Sequence, residues 1–478
     1  MDQLVDMCSW MVSCEMSDFS TLNLALSGLM AARRGMDVTG QNVANANTAG
    51  YTRQRLVSEA IGAPTQPAIW AKYDGSNGGV RIADVQRLRD AFQDVRSRDA
   101  HASQGALGAT SDALSQIESL FPEPSSNGLQ SMLDSMWSGF GDVANNPSDP
   151  AARSQVIAKA NTVATWLNQT STSLDALSSN NVEKLSAIAT QINTAAANLA
   201  ALNTAILQGG KSGVPVNELL DQRDNLADTL AQLVGGQART DANGSMGVYV
   251  GGTAIVRGNR AETLSATTDS SGTRLTWDKD GSTATGVGGT AAGLLDTINN
   301  IVPTWKSKLN AVAAQLVTSV NAVHASTGTH PTYDANGNPG GAFLTGTTAA
   351  NISVAITDPA LLAASNQPPG AAGASKDGSN ADALARLAGD VNGPNAEYHS
   401  LVVNLGIATS NANLRSTTQS SVTTQIDDAR ESTSGVSIDE EMTNLVTYQR
   451  AYEASGRVLT AVDQLLDTLI NRTGLAGR

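Results

Sequence analysis

"LNLALSGLMAARRGMDVTGQNVANANTAGYTRQ", residues 22–54, joins a helical pattern to an extended one. Apolar residues recur every seven positions at Leu22, Leu29, Met36 and Val43, with Leu26 filling in, which is a heptad pattern. A second row, Leu24, Ala31 and Val38, lies two residues on, about 200° round a helix that turns by about 100° per residue. A helix apolar on opposite sides needs more than one partner. The run closes on Asn42, Asn45 and Asn47, poor interior helix formers that each carry two donors and an acceptor. Capping of a helix end and hydrogen bonding across a subunit contact both suit them. Gly50 is a plausible C-terminal glycine for the helix, and "YTRQRLV" after it alternates in the strand manner.

The far end of the chain repeats the pattern. Ile438, Leu445, Tyr452, Leu459 and Leu466 are spaced by seven, joined by Met442, Val462 and Leu469. Ser437 and Glu440 have capping-box spacing, and Asp439, Glu440 and Glu441 suit the positive end of a helix dipole. Periodicity alone allows these two helices to pack as an ordinary core or to serve assembly between subunits.

Between the ends, Asp74-Gly75 and Asn77-Gly78 supply turn chemistry before "GVRIADV", so a hairpin or paired extended segment is expected there. From about Val85 to Leu233 the pattern is helical, broken at "FPEPSSNG" and at "NNPSDPAAR", where Asp149 before Pro150 is a natural N-cap. Separate helices follow through "SQVIAKANTVATWLNQTSTSLDALSS", "VEKLSAIATQINTAAANLAALNTAIL" and "VNELLDQRDNLADTLAQLV". At Gly235 short alternating runs begin, punctuated by Asn243-Gly244, Gly251-Gly252 and Asp280-Gly281, the pattern of a small inserted β domain. Helix returns near 293 with a candidate kink at Pro303, residues 327–380 read as loops with a few short elements, and helix resumes near Ala381.

The chain has 478 residues, roughly three domains at about 150 each. A net charge of −14 argues against nucleic acid and against an anionic membrane surface. No uninterrupted apolar run is long enough to span a bilayer, so membrane insertion is not expected. Both cysteines, Cys8 and Cys14, precede the helical pattern, and residues 1–32 contain no Lys or Arg but include Asp2, Asp6, Glu15 and Asp18, which does not resemble a secretory signal.

Catalytic constellations are lacking. His101, His324, His330 and His399 form no metal-binding helix motif. "AILQGGKS" imitates a phosphate loop, but Ala205 stands where the first glycine belongs and a helix precedes it. "DANGN" at 334–338 starts like a calcium loop, but Pro339 replaces the glycine and no acidic twelfth ligand follows, which favours a tight turn. The charges of "ELLDQRDNLAD" read as a solvated helix face. No catalytic, metal or cofactor site is therefore expected, and no enzyme.

Residues 22–54 resemble the N-terminal signature of the flagellar rod, hook and hook-associated family, whose members end in a helix like "EEMTNLVTYQRAYEASGRVLTAVDQLLDTLINR". "GYTRQ", "NPSDPAARSQVIAKA", "NELLDQRD" and "GVSIDEEMTNLVTYQRAYEASGRVL" narrow the resemblance to the members at the hook-filament junction. The resemblance implies a mainly α chain with an inserted small β domain, elongated and multi-domain, whose N- and C-terminal helices pair as a coiled coil. The expected parts are a terminal polymerisation coil (18–50 with 434–473), a mostly helical middle domain (51–235 with 293–326 and 381–433) and an outer β and loop-rich domain (236–292 with 327–380). Residues 1–17 exceed the family's usual start and are expected to be a disordered or non-native extension. The further outer β domain of some members has no room in 345–380.

The resemblance also implies a role. Copies stack into a tube as an adaptor zone between hook and filament, in contact with the hook protein and a second junction protein. The chain would be exported unfolded by the flagellar type III apparatus, after a cytoplasmic chaperone releases its C-terminal helix. Asn42, Asn45, Asn47, Gly50, Tyr51, Arg53 and Gln54 would mark the handover from the terminal helix to the next domain. The Leu22 row would meet the C-terminal helix, Leu24, Ala31 and Val38 would face adjacent subunits, and both terminal helices would be largely mobile before assembly. The alternatives are a hook or rod protein of the same family, a secreted wall hydrolase, or an adhesin or effector using the same export route.

Overall fold

The computed structural model describes residues 2–61 and 78–471, with side chains over 21–61 and 78–468. Asp74-Gly75, Asn77, the Leu469 side chain and residues 472–473 of the expected coil lie outside the described residues. Helix α1 (Asp2–Ala44) packs against α10 (Ile438–Asn471). Strands β1 (Gln54–Ala60) and β2 (Val80–Arg87) form an antiparallel ribbon with a bulge at Val57/Ser58, lying along α1. Residues 2–17, part of the expected disordered or non-native extension, are helical: with no Gly or Pro before Gly28 nothing breaks the helix, and it runs back to Asp2.

Helices α2 (Ala91–Ser119), α3 (Leu129–Asn145), α4 (Pro150–Lys211) and α5 (Asn217–Val234) follow. Asp149 caps α4 through Ala151 N–H, with Pro150 in the first turn, as its sequence requires. The break expected near Ser178 is absent. Its residues remain helical because Leu174, Leu177, Leu185 and Ala189 keep one face buried throughout, so α4 is a single 62-residue rod of roughly 93 Å.

One core lies around the first half of α4. It takes Trp137 and Phe140 of α3, Leu167 of α4, and Trp305 and Leu309 of α7 (Val302–His324). Tyr398 of α9 (Pro394–Ser434) closes it. The second core joins Ile192 and Leu199 of α4 and Leu230 of α5 to a β unit and to Leu294 of α6 (Gly289–Asp296). In that unit β3 (Gln237–Thr240), β4 (Met246–Val250), β5 (Thr253–Arg257) and β6 (Arg260–Ala261) pair in order, beside a hairpin of β7 (Leu264–Asp269) and β8 (Gly272–Trp277). Gly251 and Gly252, at φ +54° and +86°, make the two-residue turn between β4 and β5.

The expected grouping of 327–380 with the β unit is corrected too. Phe343, Leu344, Ile352 and Leu362 belong to the first core, around β9 (Leu344–Thr345) and β10 (Ser353–Val354), with α8 (Ser379–Arg386) packed on α3. Phe343 stacks edge-on against Phe140, 5.4 Å between ring centres, and that aromatic anchor holds the loops at their own end of α4. Pro303 has no N–H to donate, and a five-residue π-helical stretch, Thr297–Ile301, lies directly ahead of it.

Candidate assembly interface and its polar anchor

The seam between α1 and α10 is made of small residues. Ala25, Gly28, Ala32, Gly35, Thr39 and Asn42 follow a three-four repeat, and the four residues other than the glycines are each at most 5% exposed. A Cβ at Gly35 would lie 2.5 Å from the Tyr448 ring, and one at Gly28 would lie 3.0 Å from Ser455 Oγ. With Glu441 and Val462, both buried, Tyr448 and Ser455 form the facing row at intervals of seven.

The expected rows take other places. Leu22, Leu29, Met36 and Val43 flank the seam and are half-buried. Leu445, Leu459 and Leu466 do the same on α10, while Tyr452 and Ile438 are exposed. The row of Leu24, Ala31 and Val38 lies on the ribbon side of α1. There Val80 N–H donates to Ser27 Oγ at 3.2 Å, a Cβ at Gly78 would lie 3.8 Å from Leu24, and Ala31 and Val38 are already buried inside one chain. Only Leu24 of that row remains exposed.

At the end of the seam the asparagines separate by role. Asn42 is 1% exposed and uses its whole side chain: Nδ2 donates to Gln54 O (2.8 Å) and Glu441 Oε2 (2.9 Å), and Oδ1 accepts from Gln54 N–H (3.0 Å) and Tyr51 Oη (2.9 Å). Arg53 Nε donates to Glu441 Oε1 at 2.8 Å and Nη1 to Glu440 Oε2 at 2.6 Å, while its N–H reaches Ser434 O. The capping box is therefore half-made. Ser437 Oγ accepts from Glu440 N–H at 3.5 Å, but the Glu440 carboxylate goes to Arg53. Asn45 bonds locally to Gln41 O and Thr48, and Asn47 is exposed. Burial first, then Asp221 and Glu441, push the Tyr51 phenol up to about 12. Burial would lower the Arg53 guanidinium, but its bonds to Glu440 and Glu441 outweigh that and the net shift is upward.

Gly50 sits at φ +77°, and a Cβ there would lie 2.1 Å from the Asn225 side chain of α5. This is where the sequence misled most. Asp221, Arg223 and Asp224 of "NELLDQRD" are at most 5% exposed, not a solvated face. Arg87 Nη1 pairs with Asp221 (2.7 Å) and Asp224 (2.8 Å), and Arg89 bridges Asp224 and Asp94. Arg98 pairs with Asp228 at 2.7 Å, and Arg430 with Asp94 (2.9 Å) and Asp228 (3.0 Å). The arginines come from segments far apart in sequence, so no local pattern announced their partners.

A family model described as the flagellar hook-associated protein FlgK helical domain matches residues 114–344. Models of the flagella basal body rod protein and of the flagellar basal body rod FlgEFG protein C-terminal match 22–52 and 430–472, the two halves of the coil. Flagellar hook-associated protein 1 of Bacillus subtilis is 33% identical over 97% of this chain and 100% of its own length. The chain belongs to the flagellar hook-associated protein 1 family. The Escherichia coli member is 27% identical over 95% of this chain and 99% of its own. The fold is also that of a flagellar hook junction protein, FlgK, from Burkholderia pseudomallei, with a TM-score of 0.61 at 17% identity over 71% of this chain and all of that one.

This hook-associated chain is a structural protein of the flagellum. His324 is fully buried: Nε2 accepts from Ala363 N–H (2.9 Å), which leaves the proton on Nδ1 facing Gly341 O (2.8 Å), and burial lowers its pKa. Asp334 closes a turn through Asn336 and Asn338 N–H, both at 2.8 Å. "QGGK" is the last turn of α4, not a loop after a strand. Among the described residues no group of three or more His, Cys, Asp or Glu could hold a metal, and no helix is long and apolar enough to cross a membrane.

Proposed function

We propose that this chain forms the adaptor zone between hook and filament and is needed for the filament to assemble. Copies stack into a tube with α1 and α10 at its axis and the two cores outward. The observation that carries this reading is an apolar surface left over once the coil has formed: Leu26 and Met30 on α1, and Ile438, Met442, Val446, Val458 and Leu465 on α10, are exposed in the single chain. These faces are covered by neighbouring copies. At the two ends of the zone the neighbours are the hook protein and a second junction protein.

The same surface explains the remaining partners. A cytoplasmic chaperone covers α10 before export, and the chain passes unfolded through the flagellar type III apparatus. No cysteine follows Cys14, so no disulfide impedes threading of the rest. Its work is mechanical, not enzymatic. Deleting the gene tests the reading: bare hooks with flagellin shed into the medium, restored by the intact gene, are expected, and normal filaments on the deletion strain refute it.

A further inference from the structure

We infer that one polar stripe of α5 is a socket that fixes the direction of the terminal coil relative to the helical body. Three connectors meet beside α5: α1 to β1, inside the coil and its ribbon, and β2 to α2 and α9 to α10, which cross between the coil and the body. Asn217, Asp221, Asp224 and Asp228, on one face of α5 at three-four spacing, meet all three connectors. At the first, Asn217 Nδ2 donates to Gln54 Oε1 (3.1 Å), Asp221 Oδ2 accepts from Thr52 N–H (3.1 Å), and Gly50 lies against Asn225. At the second, Asn217 Nδ2 reaches Val85 O (2.6 Å), and Arg87 and Arg89 pair with Asp221 and Asp224. At the third, Arg430 near the end of α9 pairs with Asp228.

Composition makes this a directional device. The first and third connectors, 45–53 and 435–437, are built mostly of Asn, Thr, Ala, Gly, Val and Ser, residues that leave a backbone little direction of its own, and the second is only Leu88, Arg89 and Asp90. Arg87, Arg89, Arg98 and Arg430 balance Asp94, Asp221, Asp224 and Asp228, and the side chains of Arg87, Asp221 and Asp224 are at most 8% exposed. A planar guanidinium held by two carboxylates constrains angle as well as distance, which an apolar patch does not. Turning the coil would strip several charges of their partners at once. The inference concerns the lone chain and does not depend on where in the flagellum it works.

The test uses the full chain with Cys8 and Cys14 replaced by serine and spin labels on cysteines introduced at the exposed positions Asp37 of α1 and Asn198 of α4. Against the expectation that the terminal helices are mobile before assembly, pulsed dipolar spectroscopy of this parent should give one narrow distance distribution, and a broad one overturns the inference. Asp221→Asn with Asp224→Asn should broaden and shift it, while Asp269→Asn, which breaks only the exposed pair with Arg274 on the β unit, should leave it as in the parent. An unchanged distribution in the double variant, with helical circular dichroism intact, overturns the inference. If the double variant loses helical signal, Arg89→Gln at the partly exposed edge decides by the same readout: a broadened distribution supports the socket, and the parent's distribution overturns it.

Discussion

The side-chain amide of Asn42 donates to the carboxylate of Glu441 across 399 residues of sequence. Both are buried, and the other three bonds of Asn42 tie the same point to Tyr51 and to both backbone groups of Gln54. One residue thus sets the register of α1 on α10 and starts the ribbon, a use of buried asparagine that exceeds its stability value. Asn42→Ala leaves several buried groups unpaired, and the expected cost is at least about 2 kcal/mol of local stability. Native-state hydrogen exchange should show the first turns of α10 losing protection, and parent-like protection would argue against this role.

The glycines of the seam predict a size effect. In Gly35→Ala the new methyl meets the Tyr448 ring, and overpacking of this kind costs about 1–3 kcal/mol. Tyr448→Ala removes the obstacle, so adding it to Gly35→Ala should recover part of the loss. Additive losses in the double-mutant cycle would mean the two do not touch.

His324 predicts an acid slope. Its folded-state pKa is lowered by burial, so its contribution is complete above the unfolded value of about 6.5 and is lost as pH falls below that. A proton on Nε2 would confront Ala363 N–H. The parent's unfolding midpoint should fall through this window, and His324→Gln should flatten that part of the profile. Equal slopes in both proteins would remove His324 as the cause.

Tyr51 predicts the opposite sign. Its phenol is raised to about 12 against about 10 in an unfolded chain, so its contribution is complete below about 10 and is lost as pH rises through about 12. An ultraviolet tyrosinate titration comparing the parent with Tyr51→Phe should show one phenol titrating late. If Tyr51→Phe removes a phenol that ionises with the ordinary ones, the buried bond to Asn42 is not maintained.

The helices, their caps and the β unit were legible because each depends on neighbours in sequence: Asp149-Pro150 starts α4, and Gly251-Gly252 turns β4 into β5. The heptads of the two ends were legible and the family resemblance implied their pairing, yet the seam lay elsewhere. Large apolar residues draw the eye, while Gly28 and Gly35 were chosen for how closely α10 approaches. Asp221 and Asp224 were misread for a related reason. A charged residue between apolar ones looks solvated until Arg87 and Arg89, well over a hundred residues earlier, are folded over it.

The most direct measurement replaces Met30, Met442 and Leu465, three exposed apolar side chains of the coil, with glutamine in the gene of motile cells. The purified variant should unfold like the parent, because the single chain leaves these side chains in solvent, while electron microscopy of the cells should show hooks without filaments. Normal filaments on those hooks would contradict a tube built by burying these faces between copies.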